Sequence, residues 1–165
     1  MNEIDKTLIE VREAVEIRDQ TSTWLRAFES ALAGGDEAGL ADLFTRDGNW
    51  RDILAFTWHL KPVVGAGAIA QGLLARQPAV GARSFAIAAG RTAPRRVKRM
   101  GRDCIEAIYS FEANAGRCAG LLRLVPATDG AAAAGLKATV ISTSLEELKG
   151  FEERIGDRRP SGAAY

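Results

Sequence analysis

A chain of 165 residues suits one domain and can bury a core without staples, and 47% hydrophobic with 26% charged residues is the composition of a folding globular protein. A net charge of +1 offers no global field for nucleic acid or an anionic membrane, while two cysteines and one histidine exclude a disulfide framework and a Cys/His zinc cluster. No stretch approaches ~20 consecutive apolar residues and the charged N-terminus does not read as a secretory signal, so a reducing cytoplasm is expected, with Cys104 and Cys118 as thiols.

Along the chain, Ile4, Leu8, Val11 and Val15 recur at helical spacing, and the pattern resumes with Trp24 or Leu25, Phe28 and Leu32, predicting two helices or one bent one. Gly34-Gly35 can close that helix and Asp36 can cap a short one through Phe44. Arg46-Asp47-Gly48 reads as a turn. After it the period becomes two, with Trp50, Asp52, Leu54, Phe56 and Trp58 on one side of a strand that folds back near Phe56-Thr57. Gly65 to Arg76 is helical and stopped by Gln77-Pro78.

Arg83 to Ala89, Arg95 to Met100, Asp103 to Ala113, Arg117 to Pro126 and Leu136 to Thr143 then read as strands between Gly, Pro, Asn and Asp punctuation. Ser144-Leu145-Glu146-Glu147 has a capping-box pattern and predicts a final helix through Leu148, Phe151 and Ile155. Helices first and a meander afterwards give an α+β domain over residues 1–155, an antiparallel sheet with helices on one face, and a linker or tail over 156–165.

Asp52 is the sharpest chemical feature. Alternation places this carboxylate among aromatic rings on the face that a curved sheet turns inward. Scarce water there would penalise the anion and raise its pKa toward general acid or base use. The opposing reading pairs Asp52 structurally with Arg51 or a nearby backbone group. Phe28, Trp50, Leu54, Phe56 and Trp58 are the expected pocket walls for a small apolar molecule.

His59 is a weaker candidate, since a fold-back near Phe56-Thr57 leaves its side of the sheet undetermined. Gly65-Ala66-Gly67-Ala68-Ile69-Ala70 matches a G-x-G-x-x-A dinucleotide fingerprint, yet Pro62 spoils the preceding strand and no acidic residue follows at the required distance. The glycines are therefore read as helix-opening and close-packing residues. Arg91, Arg95, Arg96, Lys98, Arg99 and Arg102 read as a charged strand edge. No metal site and no cofactor site is expected in this chain.

Ala41-Asp42-Leu43-Phe44, Asp47, Trp50-Arg51-Asp52, Gly65 and Ala68-Ile69 together resemble the nuclear-transport-factor-2-like, or SnoaL-like, superfamily, which includes polyketide cyclases and ketosteroid isomerase. The resemblance covers about residues 20 to 145. It implies a cone-shaped fold of N-terminal helices on a strongly curved antiparallel sheet, commonly dimeric, with a pocket inside. More narrowly, Trp50 to Trp58 and Glu153-Arg154-Ile155-Gly156-Asp157-Arg158-Arg159-Pro160 resemble the N-terminal domain of flavin-containing monooxygenase-type oxidoreductases. FAD would then belong to a downstream domain and not to these residues.

By strand position Asp52 matches the general base of ketosteroid isomerase, but Phe28 stands where that family has a tyrosine and the region of Gly120 to Leu122 lacks its second acid. The resemblance therefore implies an accessory small-molecule-binding and dimerising domain. The alternative is a freestanding cyclase, hydrolase or dehydratase with Asp52 as acid or base. A third reading is a scaffold whose pocket is core.

Two expectations concern the sheet. A hairpin turning at Asn114-Ala115 would set Glu112 opposite Arg117, Glu106 opposite Arg123 and Cys118 opposite Phe111, leaving no disulfide. A homodimer through the outer sheet face would cover the side without helices.

Overall fold

The computed structural model describes residues 3–127, 133–154 and 159. The expected tail over 156–165 and Ile155 of the expected last helix thus lie almost wholly outside the described residues. Helix α1 runs unbroken over Glu3–Gly34, so of the two expected arrangements the single helix is the one found. Gly35, at a φ of +70°, ends it, and the Asp36 carboxylate caps α2 (Glu37–Asp42) by accepting from the Gly39 amide at 2.9 Å.

Ile17, Thr21, Trp24, Leu25, Phe28 and Leu32 form the buried stripe of α1. Leu8, Val11 and Val15 are exposed. At 3.6 residues per turn their stripe lies roughly a third of a turn round the helix from the buried one. The first helical stripe in the sequence is thus real but does not belong to this domain's core.

The strands are β1 (Phe44–Ile53), β2 (Pro62–Val64), β3 (Arg83–Ile87), β4 (Arg95–Arg99), β5 (Arg102–Ala113), β6 (Gly116–Pro126) and β7 (Leu136–Leu148). They form one sheet in the order β2-β1-β7-β6-β5-β3, with β4 pairing β5 beyond β3. Pairing is antiparallel except between β1 and β7, which run parallel.

The hairpin β5–β6 has the expected register, with Glu112 opposite Arg117, Glu106 opposite Arg123 and Phe111 opposite Cys118. Both cysteines are free and buried. Register shifts between Phe44 and Asn49, Arg83 and Ala86, Arg117 and Cys118, and Arg123 and Leu124 bend the strands and curve the sheet.

Three local expectations are corrected. Arg46-Asp47-Gly48 is not a turn but part of the first of these bulges, inside β1. Helix α3 (Ala66–Val80) passes through Pro78 and ends where Gly81, at a φ of +60°, supplies the left-handed cap. Proline near a C-terminus removes one hydrogen bond without stopping the helix, and the Gln77 side chain bonds both the N–H and the C=O of Ala82. Ser144 to Glu147 does not begin a helix: β7 continues through it to Leu148.

Gly65 opens α3 at a φ of +99°, which only glycine adopts at little cost, while an added Cβ on Gly67 would meet nothing. The strand before it, β2, is a short antiparallel partner of β1. No βαβ unit accompanies the G-x-G-x-x-A pattern. The helices pack against the concave side of the sheet, where Phe28, Leu73, Tyr109, Phe111, Leu122 and Ile141 share one core.

Candidate functional site

Strand β1 carries Trp50 and Asp52 on its inner side, opposite Ile141 and Thr143 of β7. Asp52 is 1% exposed, as alternation predicts. Alternation then breaks, because Leu54 adopts a φ of +65°, a conformation rare for a branched side chain. The chain turns over, Ala55 and Phe56 drop into the core, and β2 returns alongside β1 with Val63 opposite Trp50. The fold-back near Phe56-Thr57 is thus present.

Asp52 holds that turn. Its Oδ1 accepts from the Phe56 amide at 3.0 Å and from the Thr143 hydroxyl at 2.6 Å, and its Oδ2 accepts from the Thr57 amide at 2.7 Å. The Thr57 hydroxyl stands 3.0 Å from Oδ2 and 2.8 Å from the His59 carbonyl, and can donate to one of them at a time. The indole N–H of Trp50 donates to Thr143 Oγ1 at 2.9 Å, which completes a chain from ring to hydroxyl to carboxylate. A carboxylate with this many donors is a fixed acceptor that organises backbone. Asp52 is thus not the donor-poor carboxylate that alternation among aromatic rings implies. The partners are Thr57, Thr143 and two amides, not Arg51.

The ring interior is filled. Trp24 stacks on Phe28 at 5.3 Å, Phe28 meets Phe85 edge-on at 5.2 Å, and Phe85 stacks on Phe111 at 4.8 Å. Phe111 then lies 6.1 Å from Phe56, which meets Trp50 edge-on at 5.7 Å. Phe28, Trp50 and Phe56 therefore stand inside as expected, linked through Phe85 and Phe111. Leu54, 39% exposed, and Trp58, 71% exposed, do not. Both lie in the turn beyond the end of β1, where strand alternation no longer holds. The side chain of His59 is exposed as well, with its backbone N–H and C=O tied to the Thr57 hydroxyl.

Two groups near Asp52 were not singled out from the sequence. Tyr109 is fully buried on the inner parity of β5, and its hydroxyl donates to the Ser142 carbonyl at 2.7 Å. Burial, with smaller contributions from Cys118 and Asp52, pushes its phenol well above the usual range. Burial, reinforced by the charges of Asp52 and Glu146, pushes the Cys118 thiol up to about 12. Parity along β5 and β6 alone could have found both.

Gly120 faces Tyr109 across the ladder, and an added Cβ there would strike the tyrosine ring and the Ser142 carbonyl. Among the described residues no group of three or more His, Cys, Asp or Glu could hold a metal ion. None of their helices is long and apolar enough to cross a membrane.

No family model matches this chain, and no curated protein does. Solved structures do. An NTF2-like protein with a cystatin-like fold from Novosphingobium aromaticivorans matches 99% of this chain and 96% of its own at a TM-score of 0.55 and 15% identity. A protein of unknown function from Mycobacterium tuberculosis matches 90% of this chain and 79% of its own, at 0.53 and 16%. A protein from Catenulispora acidiphila matches 83% and 94%, at 0.53 and 18%. At such identities the likeness is one of fold. Together with the N-terminal helices, the bent sheet and the core between them, it establishes that this chain has the nuclear-transport-factor-2-like cone fold.

Proposed function

We propose that the chain is an accessory, dimerising and small-molecule-binding domain of the kind found ahead of flavin-containing monooxygenases, and that Asp52 is an organiser of structure within it. The observation that carries this reading is the turn after β1. The Trp50-to-Trp58 segment, which resembles those oxidoreductases, spends Asp52 on the Phe56 and Thr57 amides and the Thr143 hydroxyl. It also seals the interior with Phe56 and leaves Trp58 and Leu60 on the surface. Such a turn builds a scaffold and presents apolar side chains to a neighbour. A small apolar ligand would enter by displacing the Phe56 ring, and FAD would be held by the neighbouring domain.

The second reading, a freestanding cyclase, hydrolase or dehydratase, draws support from the Trp50–Thr143–Asp52 chain and from Tyr109 and Cys118 beside it, a set of proton-bearing groups in one buried place. The reading frame beyond Tyr165 separates the two. A flavin-type G-x-G-x-x-G shortly downstream is the expected result, and a stop codon would transfer the case to the freestanding enzyme.

A further inference from the structure

The convex side of the sheet carries a cleft of about 470 Å³ near the β4–β5 turn, in the size range of small-molecule sites and separate from the Asp52 turn. Its polar lining includes Arg123 of β6, Asn49 of β1 and Thr139 of β7, and its apolar lining Cys104, Val125 and Val140, with Val140 opposite both Asn49 and Arg123 in the ladder. We infer that this cleft binds an amphipathic organic anion, its oxyanion head on Arg123, Asn49 and Thr139 and its apolar body against Cys104, Val125 and Val140.

Hydrogen-bonding capacity left unspent is the first support. Arg123 donates only Nε, to Glu106 Oε2 at 3.0 Å, and the two Nη groups of this half-buried side chain have no partner among the described residues. Neither the Asn49 amide nor the Thr139 hydroxyl bonds any described residue. Three groups with free donors lining one concavity suit a carboxylate or phosphate, and the guanidinium fork suits either geometry.

Charge is the second support. Arg99 holds Glu106 through Nε at 3.0 Å and Nη2 at 2.8 Å, and Arg95 approaches it at 3.4 Å. Three guanidinium groups thus surround a single carboxylate, which leaves two positive charges uncompensated within the cluster. Asp47 at the rim is answered by Arg102 at 3.7 Å and does not cancel them. Burial pushes the Cys104 thiol up, so that side chain stays neutral, and Met100 stands fully exposed at the β4–β5 turn.

The test is calorimetric titration of the folded chain with octanoate, octyl phosphate and the neutral 1-octanol. One anion should bind per chain, and whichever of the two binds more tightly identifies the head group. Octanol should bind far more weakly. Arg123→Gln should weaken anion binding by at least about tenfold, the loss of a charge-assisted contact, whereas Arg96→Gln, which touches Glu13 and not the cleft, should leave it unchanged. Should Arg123→Gln fold poorly, Asn49→Ala combined with Thr139→Val leaves the Glu106 cluster intact and should weaken the same binding. The inference is overturned if neither anion binds at millimolar concentration, if octanol binds as well as octanoate, or if the folded cleft variants bind like the parent.

Discussion

At the scale of single residues the decisive fact is what Asp52 touches. Asparagine keeps the shape but offers an NH2 to one of two positions where amide and hydroxyl donors already point, so a donor meets donors. Asp52→Asn should therefore lower stability by about 1–3 kcal/mol and loosen the turn over 54–59, visible as altered amide signals at Phe56 and Thr57. Unchanged stability with a lost turnover would favour the acid–base enzyme instead. Gly120→Ala has a packing cause, since the new methyl meets both the Tyr109 ring and the Ser142 carbonyl, and about 1–3 kcal/mol of overpacking should appear in its denaturation midpoint. The cysteines test burial: Cys118, held protonated, should resist iodoacetamide in the native protein, and both thiols should react fully once it is denatured without reductant. Rapid native labelling of Cys118, or no free thiol after denaturation, would contradict the buried, unbridged pair.

At the scale of elements, the clearest prediction belongs to the outer side of β4, β5 and β6. Glu106 is held at about 2, from an ordinary 4.5, by Arg99 above all, with Arg123 and Arg95 adding and burial opposing. A carboxyl whose folded value is depressed stabilises the fold fully above its unfolded value, and that contribution drains away as pH falls from about 4.5 toward 2. Denaturation midpoints taken across this range should fall for the parent and fall less for Glu106→Gln, the two curves converging near pH 2. Parallel curves would show that the cluster does not couple to folding.

The same pairs made this hairpin legible in the sequence, because Glu106 with Arg123 and Glu112 with Arg117 agree on one register. The Asp52 and Trp50 parity was legible for a similar reason, a period of two that held as far as Ile53. Beyond it the strand gives way to a turn in which parity assigns neither Leu54 nor Trp58, and no local pattern announces the positive φ that starts the turn when the residue is leucine. The last strand was hidden differently. Ser144-Leu145-Glu146-Glu147 satisfies a local cap rule, but ladder pairing with β6, which carries β7 on to Leu148 after β1 ends opposite Ser144, outweighs a preference worth about 1 kcal/mol.

At the scale of the whole molecule, the question is what covers the convex face. Its helices pack on the concave side; on the outward side Arg91, between β3 and β4, reaches across β5 and β6 to pair with Glu146 of β7 at 3.0 Å, and Ile108 and Leu121 stay half-exposed. Ile108 and Leu121 pair directly across β5 and β6 there, with Ala119 next to them and the small Ser142 and Ser144 on β7. A partly apolar, small-residue surface at the middle of a sheet suits a two-fold partner presenting the same surface, and the cleft holding Arg123 lies at one end of it. The chain should therefore sediment as a dimer at micromolar concentration. Leu121→Glu would bring two carboxylates to the centre of such an interface, where like charges without water are costly, and should yield a folded monomer. A parent chain that sediments as a monomer would remove the dimerising role proposed for it. A variant that stays dimeric with an unchanged circular dichroism spectrum would place the interface elsewhere, and the exposed Leu8, Val11 and Val15 stripe of α1 would be the next surface to mutate.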